Sequence, residues 1–363
     1  MCGKKQGNLI MSILNNNKQY AEQLNRYAQT NINWEKLKGK TVLITGASGM
    51  IGTYMIDLIM RRNRKYKNDI NVIAMSRNEG QARERFSEYW NMPYFHYIPQ
   101  NINEEIVSQN RADYVIHAAS NTHPKQYSSD PVNTILTNVL GTKNILDYAY
   151  RCRADKVIFL SSVEIYGENK GDVDLFDESY SGYIDCNTLR AGYPEGKRTG
   201  EALCQAYRSM YNMNIIIPRV SRVYGPTMKA EDSKAIAQFI KNAVYNQNIV
   251  LKSEGNQLYS YIYVGDAVMA ILYCILYGED GQAYNVSGDG SDISLKSLAE
   301  YLADMSHTQV VYELPEESES RGYSKAAKAL LDNSKIKNLG WNSRYDIKTG
   351  LYDTVQILKD IYL

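Results

Sequence analysis

Residues 41–52 read Thr-Val-Leu-Ile-Thr-Gly-Ala-Ser-Gly-Met-Ile-Gly, a short β-favouring run closed by three glycines at 46, 49 and 52. A helical pattern follows from about Ile51 to Arg62. The glycines permit a tight turn and close backbone approach, so the helix N-terminus can meet a pyrophosphate with its unpaired N–H groups. Glycines at this spacing would otherwise mark only a tight turn. The strand before and the helix after make the stretch a dinucleotide cradle, with expected contacts from Gly46, Ser48, Gly49, Met50, Ile51 and Gly52.

Working outward, the same alternation recurs along the chain. The apolar runs NVIAM, FHYIP, DYVIHAA, KVIFLSS and NIIIPRV are separated by helical patterns near 81–89, at 133–150 and after Tyr193. Short apolar strands alternating with helices predict a parallel sheet covered on both faces, the α/β doubly wound (Rossmann) class. After Pro226 the alternation weakens and Gly, Ser and acidic residues increase, which predicts a smaller C-terminal α/β lobe over a substrate. The expected division is an N-terminal helical extension at 1–35, with its helix from Lys18 to Gln29. A dinucleotide-binding domain follows at 36–226 plus 258–277, and a substrate lobe at 227–257 plus 278–363.

The 363 residues carry a formal net charge of +1 with mixed signs throughout, which argues against a nucleic-acid or membrane-surface partner and for a small soluble one. Cys2, Cys152, Cys186, Cys204 and Cys274 lack metal-ligand spacing, so no metal site is expected and the thiols read as reduced. The stretch MCGKKQGNLIMSIL holds too short an apolar run for a signal or spanning segment. A cytoplasmic protein is expected.

Downstream of the cradle lie Ser161-Ser162-Val163-Glu164-Ile165-Tyr166-Gly167 and Tyr193-Pro194-Glu195-Gly196-Lys197. With 31 tyrosines in the chain, a Tyr-x-x-x-Lys match has little weight alone, and Tyr166 with Lys170 is a second one. Context separates them. Lys170 sits in the loop-like GENKGD, whereas Tyr193 and Lys197 open a helix with Pro near its first position, and residues four apart share a helix face. Taking a hydride from a secondary alcohol requires a base for the hydroxyl proton, and a neighbouring cation favours the phenolate. Tyr193 is the expected base, Lys197 the perturbing charge and ribose anchor, and Ser162 the hydrogen-bond partner of the reacting oxygen.

The end of the second strand should read the adenosine ribose, where a carboxylate would accept from the 2′-hydroxyl of NAD. This chain has Ser76-Arg77, so the cofactor is NAD(P) with NADP favoured: Arg77 can pair with a 2′-phosphate and Arg83 can assist. Stacking of Arg77 on adenine is the alternative.

With TGxxGxxG, SSxxxYG and YxxxK in this order, the chain resembles the extended short-chain dehydrogenase/reductases of the NAD-dependent epimerase/dehydratase family, nearest to UDP-glucuronate decarboxylases. Further shared residues include HAAS at 117–120, Thr137-Asn138, EGKR at 195–198, Tyr224-Gly225-Pro226, Asp266 and Leu339-Gly340-Trp341, and the likeness covers about 40–345. The resemblance implies transient oxidation at carbon 4 of a nucleotide-diphosphate sugar, ending in epimerisation or decarboxylation, for surface-polysaccharide precursors. It implies cofactor contacts from Ala118, Ala119, Asn138, Tyr193 and Lys197, a catalytic role for Glu164 in the step after oxidation, and substrate contacts from Ser120, Arg222, Tyr259 and Arg321. A homodimer joined through the helices at 133–150 and after Tyr193 is implied as well.

Departures from the family pattern bear on the second step. Val163 stands where 4,6-dehydratases carry the aspartate that protonates the leaving hydroxyl, which disfavours dehydration. Tyr259 and Thr227 stand where decarboxylases carry arginines, and Arg222 and Arg321 are the expected substitutes. A 4,6-dehydratase, a net 4-keto reductase and a non-catalytic NADP-binding regulator are the alternatives.

Overall fold

The computed structural model describes residues 14–108, 110–122, 127, 129–313 and 326–363. Its strands are β1 (Thr41–Thr45), β2 (Asn71–Ser76), β3 (Phe95–Pro99), β4 (Tyr114–His117), β5 (Lys156–Phe159), β6 (Ser161–Ser162) and β7 (Ile215–Val220). They continue as β8 (Arg222–Tyr224), β9 (Ile249–Leu251), β10 (Leu258–Tyr263), β11 (Ala283–Val286), β12 (Asp292–Ser294), β13 (Val310–Tyr312) and β14 (Lys328–Ala329).

The main sheet runs β3-β2-β1-β4-β5-β7-β11, with β6 extending the pairing along β7, and its pairs are parallel. The order reverses between β1 and β4, and the crevice at such a switch point is where doubly wound sheets bind ligands. Alternate residues of each central strand feed two separate cores. Val42, Ile44, Ile158 and Ile216 pack with the helices Met50–Tyr66 and Val264–Tyr277, while Leu43, Val157, Phe159, Ile215 and Ile217 pack with Pro131–Cys152 and Gly192–Tyr211. This two-sided burial is why the strands read as continuous apolar runs.

Helix Val264–Tyr277 is apolar around nearly its whole circumference because it is covered twice, by the sheet and by helix Lys18–Ala28. That N-terminal helix is capped by Asn17 and buries Tyr20, Leu24 and Tyr27. Tyr20 donates to Asp57 at 2.6 Å, Tyr27 donates to Asp266 at 3.0 Å, and Gln19 and Gln23 both donate to Asp353 of the C-terminal helix Ile347–Tyr362. Gly265 is required by this docking, since a Cβ there would lie 2.3 Å from the Tyr27 ring.

The lobe is built on β10, which pairs antiparallel with β12 and parallel with β8 and β14. Three strands fall on the other side of the expected domain boundary. β8 and β10, expected in the cofactor domain, belong to the lobe sheet, whereas β11, expected in the lobe, is the end strand of the main sheet beside β7. All three are short runs, and hydrophobic pattern states that a strand is buried but not which sheet receives it.

Candidate active site

The glycine turn rises from β1 against the end of β4. Gly46 has φ +65°, and a Cβ on it would lie 2.8 Å from the Ala118 carbonyl oxygen, so only glycine fits both the conformation and the approach. Gly49 caps helix Met50–Tyr66 without a side-chain acceptor, leaving the first N–H groups directed at the switch-point crevice. Ser48, Met50 and Ile51 line the same turn, half-buried. This cradle fits the pyrophosphate of a dinucleotide.

Beneath it, the amides of Ala118 and Ala119 both donate to Thr45 Oγ1 at 3.1 Å, which leaves the Thr45 hydroxyl proton for His117 Nδ1 at 2.9 Å. Thr142 donates its own proton to the Asn138 carbonyl at 2.6 Å, so His117 Nε2, 3.3 Å away, is the nitrogen that carries hydrogen. The imidazole is therefore neutral, and burial, helped by the Lys197 charge, pushes its pKa down to about 3. Ser120 donates to Asn138 Oδ1 at 2.8 Å and the Asn138 amide donates to the Thr134 carbonyl at 2.8 Å, which fixes Asn138 beside Gly196.

Ser162 ends β6 and caps the short turn Val163–Tyr166, accepting from the Glu164 amide at 3.2 Å. Its side chain also hydrogen-bonds the Tyr193 hydroxyl. Burial pushes the Tyr193 phenol up to about 12; the Ser162 bond and the Arg190 charge work against that rise, and Glu164 adds to it. Lys197 Nζ donates to the Leu160 carbonyl at 2.7 Å, and its ammonium is pushed down to about 8 by burial. In this geometry Arg190 and Glu164 act on the Tyr193 phenol, while Lys197 is engaged with the backbone.

The other Tyr-x-x-x-Lys match has a different occupation. The Tyr166 hydroxyl donates to Asn285 Oδ1 at 2.6 Å and accepts from Arg219 Nη1 at 3.0 Å, and Arg219 grips Glu201 with two further bonds. Lys170 is exposed. Tyr166 is thus locked into the packing between β7 and the β5 end.

Glu164 lies in the site, but both of its oxygens are occupied. Oε2 is 2.6 Å from Arg190 Nη2 and Oε1 is 3.5 Å from Arg222 Nη2. Burial would raise this carboxyl; the two guanidinium charges outweigh it and hold the pKa below the usual glutamate value. Arg222 lies 3.5 Å over the Tyr259 ring, and the Tyr259 hydroxyl donates to the Ala326 carbonyl at 2.9 Å. Tyr259 therefore contributes a face on which Arg222 rests. Arg321 lies outside the described residues.

Arg190 and Tyr127 escaped the sequence reading. Arg190 precedes Tyr193 by three residues, and in a polar loop a single arginine looks like a solvated charge. Its guanidinium covers the Tyr127 ring at 4.9 Å, and that ring stacks on Tyr193 at 5.2 Å.

At the end of β2, Ser76 Oγ lies 3.0 Å from the Tyr97 hydroxyl, and Tyr97 donates to the Ser76 carbonyl at 2.7 Å. Arg77 is exposed and makes no ion pair with any described residue. Arg83 is engaged elsewhere, with Glu79 at 3.2 Å and over the Trp90 ring at 4.5 Å. Lys229 is a second cation here: Thr227 donates to the Met50 carbonyl at 2.9 Å, pinning its loop to the start of the glycine-turn helix. Burial lowers the Lys229 pKa, Glu231 opposes that, and the charge of Arg77 lowers it further. Among the described residues no cluster of His, Cys, Asp and Glu could hold a metal ion, and no helix is long and apolar enough to cross a membrane.

Residues 42–287 match the NAD dependent epimerase/dehydratase family. UDP-glucuronic acid decarboxylase 3 of Arabidopsis thaliana is 29% identical over 311 residues, covering 85% of this chain and 86% of the relative. A UDP-glucuronic acid 4-epimerase from Bacillus cereus, solved with UDP-glucuronic acid and NAD, superposes with a TM-score of 0.75 at 19% identity, covering 89% of this chain and all of that one. A dTDP-glucose 4,6-dehydratase from Streptomyces venezuelae, solved with NAD, gives 0.75 at 21% identity over 88% of this chain and 97% of its own.

Proposed function

The chain belongs to the NAD dependent epimerase/dehydratase family of enzymes, and from that membership we propose that it modifies a nucleotide-diphosphate sugar by transient oxidation at carbon 4, ending in epimerisation or decarboxylation. The observation that carries this reading is the convergence of Ser162, Tyr193 and Lys197 beside the glycine cradle at the switch point of the sheet. When bound, the dinucleotide supplies the acceptor and later donor of the hydride. Tyr193 takes the proton of the carbon-4 hydroxyl, Ser162 holds that oxygen, and Lys197 ties the Tyr193 helix to the strand end. Asn138 and Ser120 keep the polar floor of the site in register.

Dehydration fits poorly. Val163 has no proton to offer a leaving hydroxyl, and Glu164 is held ionised between two arginines. We read Glu164 as a positioning residue for Arg190 and Arg222 ahead of any role as a proton donor. The cofactor reading is NADP over NAD, supported by the absent carboxylate at Ser76 and by the two cations Arg77 and Lys229 at that end of the cradle.

A homodimer is supported by the apolar surface of the two long helices, where Val132, Ile135, Leu140, Tyr150 and Met210 are exposed. Sedimentation should give twice the chain mass at micromolar concentration, and Leu140→Glu should shift it to a monomer.

The deciding experiment is mass spectrometry of products from UDP-, dTDP-, GDP- and CDP-sugars, with dinucleotide in trace amounts. Loss of carbon dioxide or an isomer of unchanged mass supports the proposal. Loss of water points to dehydration, stoichiometric consumption of NADPH to a net reductase, and dinucleotide binding without turnover to a regulator.

A further inference from the structure

Arg190 and Arg222 share the single carboxylate of Glu164, and among the described residues no other carboxylate forms an ion pair with either. The cluster therefore carries one more positive than negative charge. Each guanidinium reaches Glu164 through Nη2 only. Arg190 Nε and Nη1 and Arg222 Nη1 are buried and find no hydrogen-bond acceptor among the described residues. Buried charged donors without acceptors are rare in folded proteins, and where they converge on a reaction site they mark what the ligand supplies.

The two arginines differ in depth. Arg222 rests on Tyr259 of the lobe strand β10. Arg190 covers Tyr127, which stacks on Tyr193, and its charge acts on the Tyr193 phenol itself. On a pyranose, the diphosphate on carbon 1 lies across the ring from carbon 4, whereas the substituent on carbon 5 is adjacent to it. An anion drawn to Arg190 is thus carried at carbon 5.

We propose that Arg190 is a specificity-determining residue that accepts a carboxylate on carbon 5 of the sugar, while Glu164 holds it in place from the other side. The assignment rests on the nucleotide-sugar reading above. A hydroxymethyl group in that position would leave Arg190 Nε and Nη1 buried without an anion, so a neutral sugar is disfavoured.

The test is titration calorimetry of the full chain, loaded with dinucleotide, against UDP-glucuronate, UDP-glucose and UDP. The native protein should bind UDP-glucuronate about tenfold or more tightly than UDP-glucose. Arg190→Gln should bring that ratio close to one without weakening UDP, and Arg190→Lys should recover part of it through charge alone. Equal binding of the two sugars by the native protein would overturn the Arg190 assignment and leave the nucleotide-sugar reading standing. A ratio that survives in Arg190→Gln and collapses in Arg222→Gln would move the subsite to the other arginine and also overturn it. Failure to bind either UDP-sugar would remove the nucleotide-sugar reading together with the assignment. The native ratio needs no variant, so the proposal stays open to refutation even if Arg190→Gln does not fold.

Discussion

Lys197 Nζ donates to the main-chain carbonyl of Leu160 at 2.7 Å, two residues before Ser162, and so ties the first turn beyond Tyr193 to the strand end that carries its hydrogen-bond partner. The bond sets the separation of the helix and the strand.

Tyr193→Phe removes the hydroxyl proposed as the proton acceptor and little else. Turnover should fall by a factor of about a hundred or more, the scale of a positioned acid–base group, with cofactor affinity and the thermal midpoint nearly unchanged. Tyr166→Phe should do the reverse. Its hydroxyl bonds Asn285 and Arg219, so stability should drop by about 1–3 kcal/mol in a denaturant titration. Equal kinetic losses in the two variants would refute the choice between the two tyrosines.

Glu164→Gln leaves two buried guanidinium groups facing a neutral amide. Stability should fall by about 2 kcal/mol or more, since removing one partner of a partly buried ion cluster strands the others. In the proposed reaction the first half does not use the carboxylate, so nicotinamide absorbance should still rise on adding substrate. Unchanged stability with a persistent reduced cofactor and product formation slowed about a hundredfold would instead make Glu164 a proton carrier in the second step.

Cofactor choice can be read from affinities alone. Arg77→Ala and Lys229→Ala should each weaken NADP more than NAD, and Ser76→Asp should shift preference toward NAD, because a carboxylate repels the 2′-phosphate and accepts from the 2′-hydroxyl. Fluorescence titration with both dinucleotides gives the ratio. Equal changes for both would place the adenosine ribose elsewhere.

His117 predicts an acid limb in stability. Its folded pKa of about 3 lies below the usual histidine value, so the unfolded chain binds a proton that the folded chain refuses. The stability contributed by the neutral imidazole is complete above about pH 6.5 and is lost as pH falls from there toward 3. The slope from this group is at most about 1.4 kcal/mol per pH unit. His117→Asn should flatten the limb in urea titrations between pH 4 and 7. An unchanged slope would assign the acid sensitivity to other groups.

The amino-acid sequence alone determined the layers and the motifs whose residues lie close together along the chain. The glycine turn, the strand-end serine and the Tyr193 to Lys197 spacing are local patterns, because strand and helix periods and a four-residue helical reach are properties of contiguous chain. The N-terminal helix was legible for the same reason, though the face it covers was not. What only the tertiary structure decided are pairings between distant segments. β8, β10 and β11 lie in the opposite sheet from the one the hydrophobic pattern suggests, since backbone hydrogen bonding between remote strands leaves no trace in either strand's composition. Arg190 becomes part of the site only when its loop folds over Tyr127 and meets Glu164, 26 residues earlier, with Arg222 arriving from the start of the lobe. Glu164 changes character through that encounter, because the acidity of a buried carboxyl is set by the charges around it in space and not by its neighbours in sequence.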